Sequence, residues 1–198
     1  MAISTDMIKK LREKTNAPMM DCKKALEESN GDLEIAVDIL RKKGQIVALK
    51  KAGRSAKEGV IGSYIHSNSK IGVLLEVNCE TDFVARNEDF RQFVKDVSMH
   101  VAATSPSYVS REEVPAHILE REKNVLKDSV KNKPENVVEK IVQGKLEKFY
   151  SEVCLLDQFF VKNDKITIKE YLNELIGKIG ENILIRRFVR FQVGEDIQ

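Results

Sequence analysis

Cys79, Glu80, Thr81, Asp82 and Phe83 stand in one unbroken run, Asn78-Cys79-Glu80-Thr81-Asp82-Phe83-Val84-Ala85-Arg86-Asn87. A thiol, two carboxylates, a hydroxyl and an aromatic ring side by side allow two kinds of chemistry. The first is nucleophilic, with Cys79 activated by a histidine. The thiolate is the reactive species, and the adjacent Glu80 carboxylate raises the thiol pKa, the wrong direction for a nucleophile. The second is recognition. A strand pattern ends at Asn78 and a helical pattern begins at Asn87, and junctions between elements run on the surface. Phe83 beside Asp82 there reads either as a probe aimed at a partner or as a plain start of a helix. In the plain reading Phe83 packs into the core and Asn87 caps the next helix. On the residues alone the plain reading is favoured, because most aromatics near an element boundary pack.

The elements that position this run follow from periodicity. Residues 1–44 read as a three-helix module. Ser4 or Thr5 caps the first helix, with Ile8 and Leu11 on one face. Thr15-Asn16-Ala17 is a break, and Pro18 suits the first turn of the second helix. Asn30-Gly31 is a left-handed stop, and Asp32 caps the third helix. Leu33, Ala36, Val37 and Leu40 give that helix one buried face, and Gly44 is expected to end it. Residues 45–58, with Lys50-Lys51-Ala52-Gly53-Arg54, read as a basic linker or a weak helix.

Residues 59–198 then form an α+β core. The period changes to two over Gly59 to His66 and Ile71 to Asn78, strands joined by Ser67-Asn68-Ser69-Lys70. Phe90, Phe93, Val94, Val97 and Val101 form a helical stripe. Pro115 opens one amphipathic helix and Pro134 a second, joined at Asn132-Lys133-Pro134, so an antiparallel helical hairpin is expected over about 115–150. Residues 155–166 read as irregular. Thr167 and Glu170 make a capping box for a helix that Gly180 stops. Ile183 to Val193 alternates as a strand and completes a three-stranded antiparallel sheet with the hairpin.

Composition narrows the function classes. Hydrophobic residues make up 42% of the 198 residues and charged residues 32%, enough for a real core in a soluble globular chain. No apolar run is long enough to span a bilayer, and the first residues lack the basic-then-apolar pattern of a secretory signal, so a cytoplasmic protein without membrane association is expected. Net charge is +2, without the basic excess of a nucleic-acid binder. The three Cys (22, 79, 154) and three His (66, 100, 117) are scattered. Their spacing suggests neither a disulfide framework nor a metal site, and no cofactor is implied. Buried, unreactive cysteine is the expectation.

Two blocks carry a family resemblance. Leu11-Arg12-Glu13-Lys14-Thr15-Asn16-Ala17-Pro18-Met19-Met20-Asp21-Cys22-Lys23-Lys24-Ala25-Leu26 is similar to the N-terminal signature of the elongation factor Ts family. Leu75-Glu76-Val77-Asn78-Cys79-Glu80-Thr81-Asp82-Phe83-Val84-Ala85 resembles its second signature. Weaker similarity runs through Gly62 to His66, Met99 to Ala103 and the closing segment from Arg187. The resemblance implies a guanine-nucleotide exchange factor that binds elongation factor Tu, GDP-bound and nucleotide-free, and does no covalent chemistry of its own. It implies that the N-terminal module is like ubiquitin-associated domains and docks on the partner. It also implies that Thr81, Asp82, Phe83 and Val84 push toward the partner's magnesium and phosphate site, which turns the balance to the probe reading. Met19, Met20, Lys23 and His66 are weaker docking candidates.

The chain resembles the family's short form, with one core where longer members have two, and a homodimer is expected from that. The family's Gln-Pro-Phe-Val stands here as Gln158-Phe159-Phe160-Val161, which leaves that loop's path open. A different class remains as a rival: an adaptor whose module binds ubiquitin-like partners and needs no Asp82-Phe83 probe.

Overall fold

The computed structural model describes residues 3–15, 17–128 and 134–196. Asn16, and Asn132 and Lys133 of the expected break, lie outside them.

Three helices open the chain: α1 (Thr5–Thr15), α2 (Met19–Glu28) and α3 (Leu33–Lys51). Local chemistry sets their ends. The Ser4 hydroxyl accepts from the Met7 amide. Asn30 and Gly31 take positive φ after α2, and the Asp32 carboxylate accepts from the amides of Glu34 and Ile35. Leu11, Cys22, Ala25, Leu26 and Ala36 are fully buried together, with Val37 and Leu40 packed around them. This is the expected three-helix module.

Gly44 does not end α3. The helix runs on to Lys51, so the first half of the expected linker is helical. The reason is tertiary. A Cβ on Gly44 would stand 3.3 Å from the Asn173 carbonyl oxygen of α8 (Ile168–Ile179), and one on Gly177 would stand 3.4 Å from the Gly44 Cα. The two glycines let the helices approach closely, and Val47 and Ala48 then reach the main core. One helix therefore belongs to both hydrophobic clusters.

The main core lies under a three-stranded antiparallel sheet of order β1 (Glu58–Ile65), β2 (Ile71–Cys79) and β5 (Leu184–Gln192). Val73, Leu75 and Val77 face inward and are buried, as alternation requires. They meet Phe90, Phe93, Val94, Val97 and Val101 of α5 (Glu88–Thr104) and Leu172, Leu175 and Ile176 of α8. The capping box of α8 is complete in both directions between Thr167 and Glu170, and Gly180 ends the helix at φ 82°.

Residues 155–166 are more regular than expected. A 3₁₀ turn at Leu155–Asp157 leads into β3 (Phe159–Phe160), which pairs with β4 (Asn163–Thr167). Buried His100 fixes this segment. The Val161 amide donates to its Nδ1 at 3.3 Å, which leaves Nε2 to donate to the Gln158 side-chain oxygen at 3.0 Å. Burial pushes the imidazole pKa down, which suits this neutral form. The path of Gln158-Phe159-Phe160-Val161 is thus set by a side-chain network and a short strand pair.

The helical hairpin is present as α6 (Ala116–Asp128) and α7 (Glu135–Val153). On α6 no described side chain is buried. On α7 Val142 and Leu146 are. Arg111 ties its base down, pairing with Glu147 at 2.8 Å and Asp157 at 2.7 Å and lying over the Tyr150 ring at 4.6 Å.

Candidate functional site

β2 ends at Cys79, and the next residues turn into a single helical turn, α4 (Asp82–Ala85). Thr81 caps it: its hydroxyl oxygen accepts from the Val84 amide at 3.4 Å. Ala85 is buried and Val84 packs against the core, which tethers one side of the turn. Phe83 points the other way and is 79% exposed. The ring is therefore not tucked into the core. Asn87 does cap α5, accepting from the amides of Asp89 and Phe90. The cap half of the plain reading holds while its packing half does not.

Asp82 sits in the first turn of α4 and pairs with Arg86 at 2.8 Å. Both side chains are largely exposed, so the pair adds little to stability. Its carboxylate is close to solvent and can be contested by another cation.

The residues that fix the turn come from the other end of the chain. Glu181, just past the end of α8, accepts on Oε2 from the amides of Glu80 and Thr81, each at 3.1 Å. Its Oε1 accepts from the Thr81 hydroxyl at 2.7 Å. Glu80 returns the contact, accepting from the Asn182 amide at 2.6 Å. The Asn182 side-chain amide donates to the Arg54 carbonyl at 2.7 Å, and the Arg54 guanidinium lies 3.6 Å from Glu80. The Asn182 amide, with help from Arg54, holds the Glu80 carboxyl below the usual carboxylate range. Neither Glu181 nor Asn182 was singled out from sequence. They lie about a hundred residues from Thr81, and the one visible signal was Gly180, a stop that redirects the chain.

Cys79 carries no nucleophilic chemistry. Its side chain is fully buried, and its thiol donates to the Thr81 carbonyl at 3.1 Å. Burial first, then the Glu181 carboxylate, pushes the thiol pKa up to about 11. The direction matches the expectation from sequence, but the neighbouring charge is Glu181 and not Glu80. Among the described residues, no group of His, Cys, Asp and Glu is arranged to hold a metal ion.

The weaker candidates occupy other places. Met19 and Met20 open α2 and are 41% and 62% exposed, so neither lies in the module core. Lys23 is exposed beside Glu27. His66 sits at the turn between β1 and β2, with Tyr64 OH at 3.1 Å from its Nδ1. Since Thr81 follows the opposite end of β2, strand rise puts His66 about 25 Å from the exposed phenylalanine's turn.

Among the described residues no helix is long and apolar enough to cross a membrane. The family model described as Elongation factor TS matches residues 2–195. The chain is 58% identical over 200 residues to a protein named elongation factor Ts from Geobacter sulfurreducens, an alignment covering 100% of this chain and 93% of that one. It is 60% identical over 196 residues to the protein of that name from Thermodesulfovibrio yellowstonii, covering 98% of each. It is 56% identical over 195 residues to the one from Thermotoga maritima, again covering 98% of each. With both signatures in place along nearly the whole chain, this protein belongs to the elongation factor Ts family.

Proposed function

We propose that this chain is a cytoplasmic guanine-nucleotide exchange factor for elongation factor Tu, and that it acts through the turn Thr81-Asp82-Phe83-Val84. A GTPase holds GDP through amides around the phosphates and a magnesium ion bridging their oxygens. An exchange factor needs no bond-making chemistry. It binds the nucleotide-free partner better than the loaded one, and its leverage equals that difference. The observation that carries the reading is Phe83: a large ring, 79% exposed, on a turn tethered by buried neighbours. A large ring held out from a fixed turn offers a partner an apolar anchor of the kind that dominates interface energetics. Phe83 supplies volume and apolar contact at the partner's magnesium site, and Asp82 a carboxylate that exchanges Arg86 for a partner group. Thr81 and Val84 hold the turn. Met19, Met20 and Lys23 dock the N-terminal module, with His66 a separate contact.

The test is release of fluorescent GDP from elongation factor Tu, chased with excess GDP. The wild type accelerates release. The Asp82→Ala/Phe83→Ala double variant loses most of that acceleration, on the order of ten-fold or more, as removal of the contacts made in the transition state requires. Equal acceleration by both would move the mechanism away from this turn. The adaptor reading differs here, since it predicts no acceleration by either protein.

A homodimer is the second part of the proposal. Ile61, Ile65, Leu74, Val189 and Phe191 lie on the outer face of the sheet, exposed by between 40% and 69%. The register places them side by side: Leu74 pairs with Val189, and Gly72 with both Ile65 and Phe191. An apolar outer face on an antiparallel sheet is unusual, since that side is ordinarily polar. A second copy offering the same face would cover it by two-fold symmetry.

A further inference from the structure

We propose that Glu181 is a positioning residue for exchange: its carboxylate holds the Thr81 cap so that Phe83 is presented outward at a fixed angle. The proposal rests on the Thr81–Val84 turn being the element that drives exchange. A helix of one turn has no stability of its own, because nucleation costs more than a single hydrogen bond returns. Its direction is set by its anchors. On the C-terminal side α4 runs straight into the Asn87 cap of α5. On the N-terminal side three donors, the amides of Glu80 and Thr81 and the Thr81 hydroxyl, all converge on the two oxygens of Glu181. The Thr81 hydroxyl hydrogen is thereby committed to Glu181. Its oxygen lone pair is left to face the Val84 amide. The same side chain therefore orients the cap and fixes the backbone entering it. The reciprocal bond from the Asn182 amide to Glu80 keeps the turn after α8 from swinging away. The Phe83 ring is exposed, so its presentation depends on these anchors, and Glu181 supplies the one on the Thr81 side.

Charge alone does not explain the arrangement. Glu181 faces no cation among the contacts described; all three of its partners are neutral donors at the root of α4. Glutamine keeps one oxygen for the two amides, and its amide group can donate to the Thr81 oxygen. Alanine keeps nothing.

The test is accelerated GDP release from elongation factor Tu across a range of factor concentrations, for Glu181→Ala, Glu181→Gln, Phe83→Ala and Glu181→Ala/Phe83→Ala. Glu181→Ala lowers the release rate at saturating factor roughly ten-fold, short of the roughly hundred-fold that a misplacement of about 1 Å can cost where bonds are made. The half-saturating concentration moves less than about two-fold, because the docking contacts elsewhere are untouched. Glu181→Gln recovers most of the rate and serves where alanine weakens the fold, which thermal unfolding of each variant reports. Adding Glu181→Ala to Phe83→Ala costs nothing further, since Glu181 acts through the ring. If Glu181→Ala and Glu181→Gln both release GDP at the wild-type rate while Phe83→Ala is slow, the positioning role is wrong and the exchange reading stands. If Glu181→Ala slows the Phe83→Ala protein by the same factor as it slows the wild type, Glu181 is merely structural. If Phe83→Ala itself is as fast as wild type, the reading of the turn fails and this proposal with it.

Discussion

At the scale of single residues, position in the fold decides what a side chain does. Cys79 and Phe83 are four residues apart in one run, yet one is fully buried and the other is the exposed tip of α4. Sequence placed both at a junction and expected buried cysteine; for Phe83 the residues alone favoured packing, and only the family resemblance turned the balance to exposure. Glu174 shows the same dependence. It lies on α8 where α3 crosses, and burial pushes its carboxyl up to about 7, with Arg41 pulling it down and Glu170 pushing it up. Between its ordinary value of 4.5 and about 7 the folded protein binds more protons than the unfolded chain. Stability from this group is therefore complete below that window and is lost as pH rises through it. Glu174→Gln should flatten the fall in melting temperature between pH 5 and 8, and raise stability at pH 8 by about 1–2 kcal/mol after allowing for partial exposure. Melting curves across that range check it. An unchanged slope would mean that Glu174 ionises freely.

At the scale of elements, the sequence was most readable where structure is local. Asp32, Asn87, Thr167 with Glu170, and the Asn30-Gly31 stop each bond within a few residues of themselves, and all four are found as read. Gly44 misled because a helix-internal glycine looks like a stop until the partner helix is known. β3 was missed because a strand of two residues has no period, and β4 because its polar opening, Asn163-Asp164-Lys165, shows no apolar alternation. The Glu181 clasp was invisible because its donors lie about a hundred residues away. Gly62 illustrates how tightly these elements meet. A Cβ there would run into Cγ1 of Val94 on α5, so the sheet sits on that helix only because the side chain is absent. Gly62→Ala should destabilise the fold by about 1–3 kcal/mol, the usual cost of overpacking. Chemical denaturation measures it, and a loss below a few tenths of a kcal/mol would show that α5 can shift freely.

At the scale of the whole molecule, α3 joins the two cores, and the outer sheet face is what remains uncovered. The module packs on the first half of α3, and the second half packs on α8. The exposed Met19 and Met20 of α2, proposed to dock, and the exposed ring of α4 therefore sit on one continuous framework, with the Arg54 carbonyl just beyond α3 bonded to Asn182 beside the clasp. The uncovered sheet face predicts association: sedimentation at micromolar concentration should give about twice the 22.5 kDa chain mass, and Phe191→Glu should return it to the single-chain mass while the fold persists. A wild-type monomer would remove the homodimer. The central claim is more basic, that binding this protein and binding GDP oppose each other through Phe83. The most direct measurement is the affinity of the wild type and of Phe83→Ala for elongation factor Tu, with and without GDP and magnesium. The wild type should bind the nucleotide-free form far more tightly than the loaded form, and Phe83→Ala should lose much of that ratio by weakening the nucleotide-free complex. A ratio unchanged by Phe83→Ala would contradict the account.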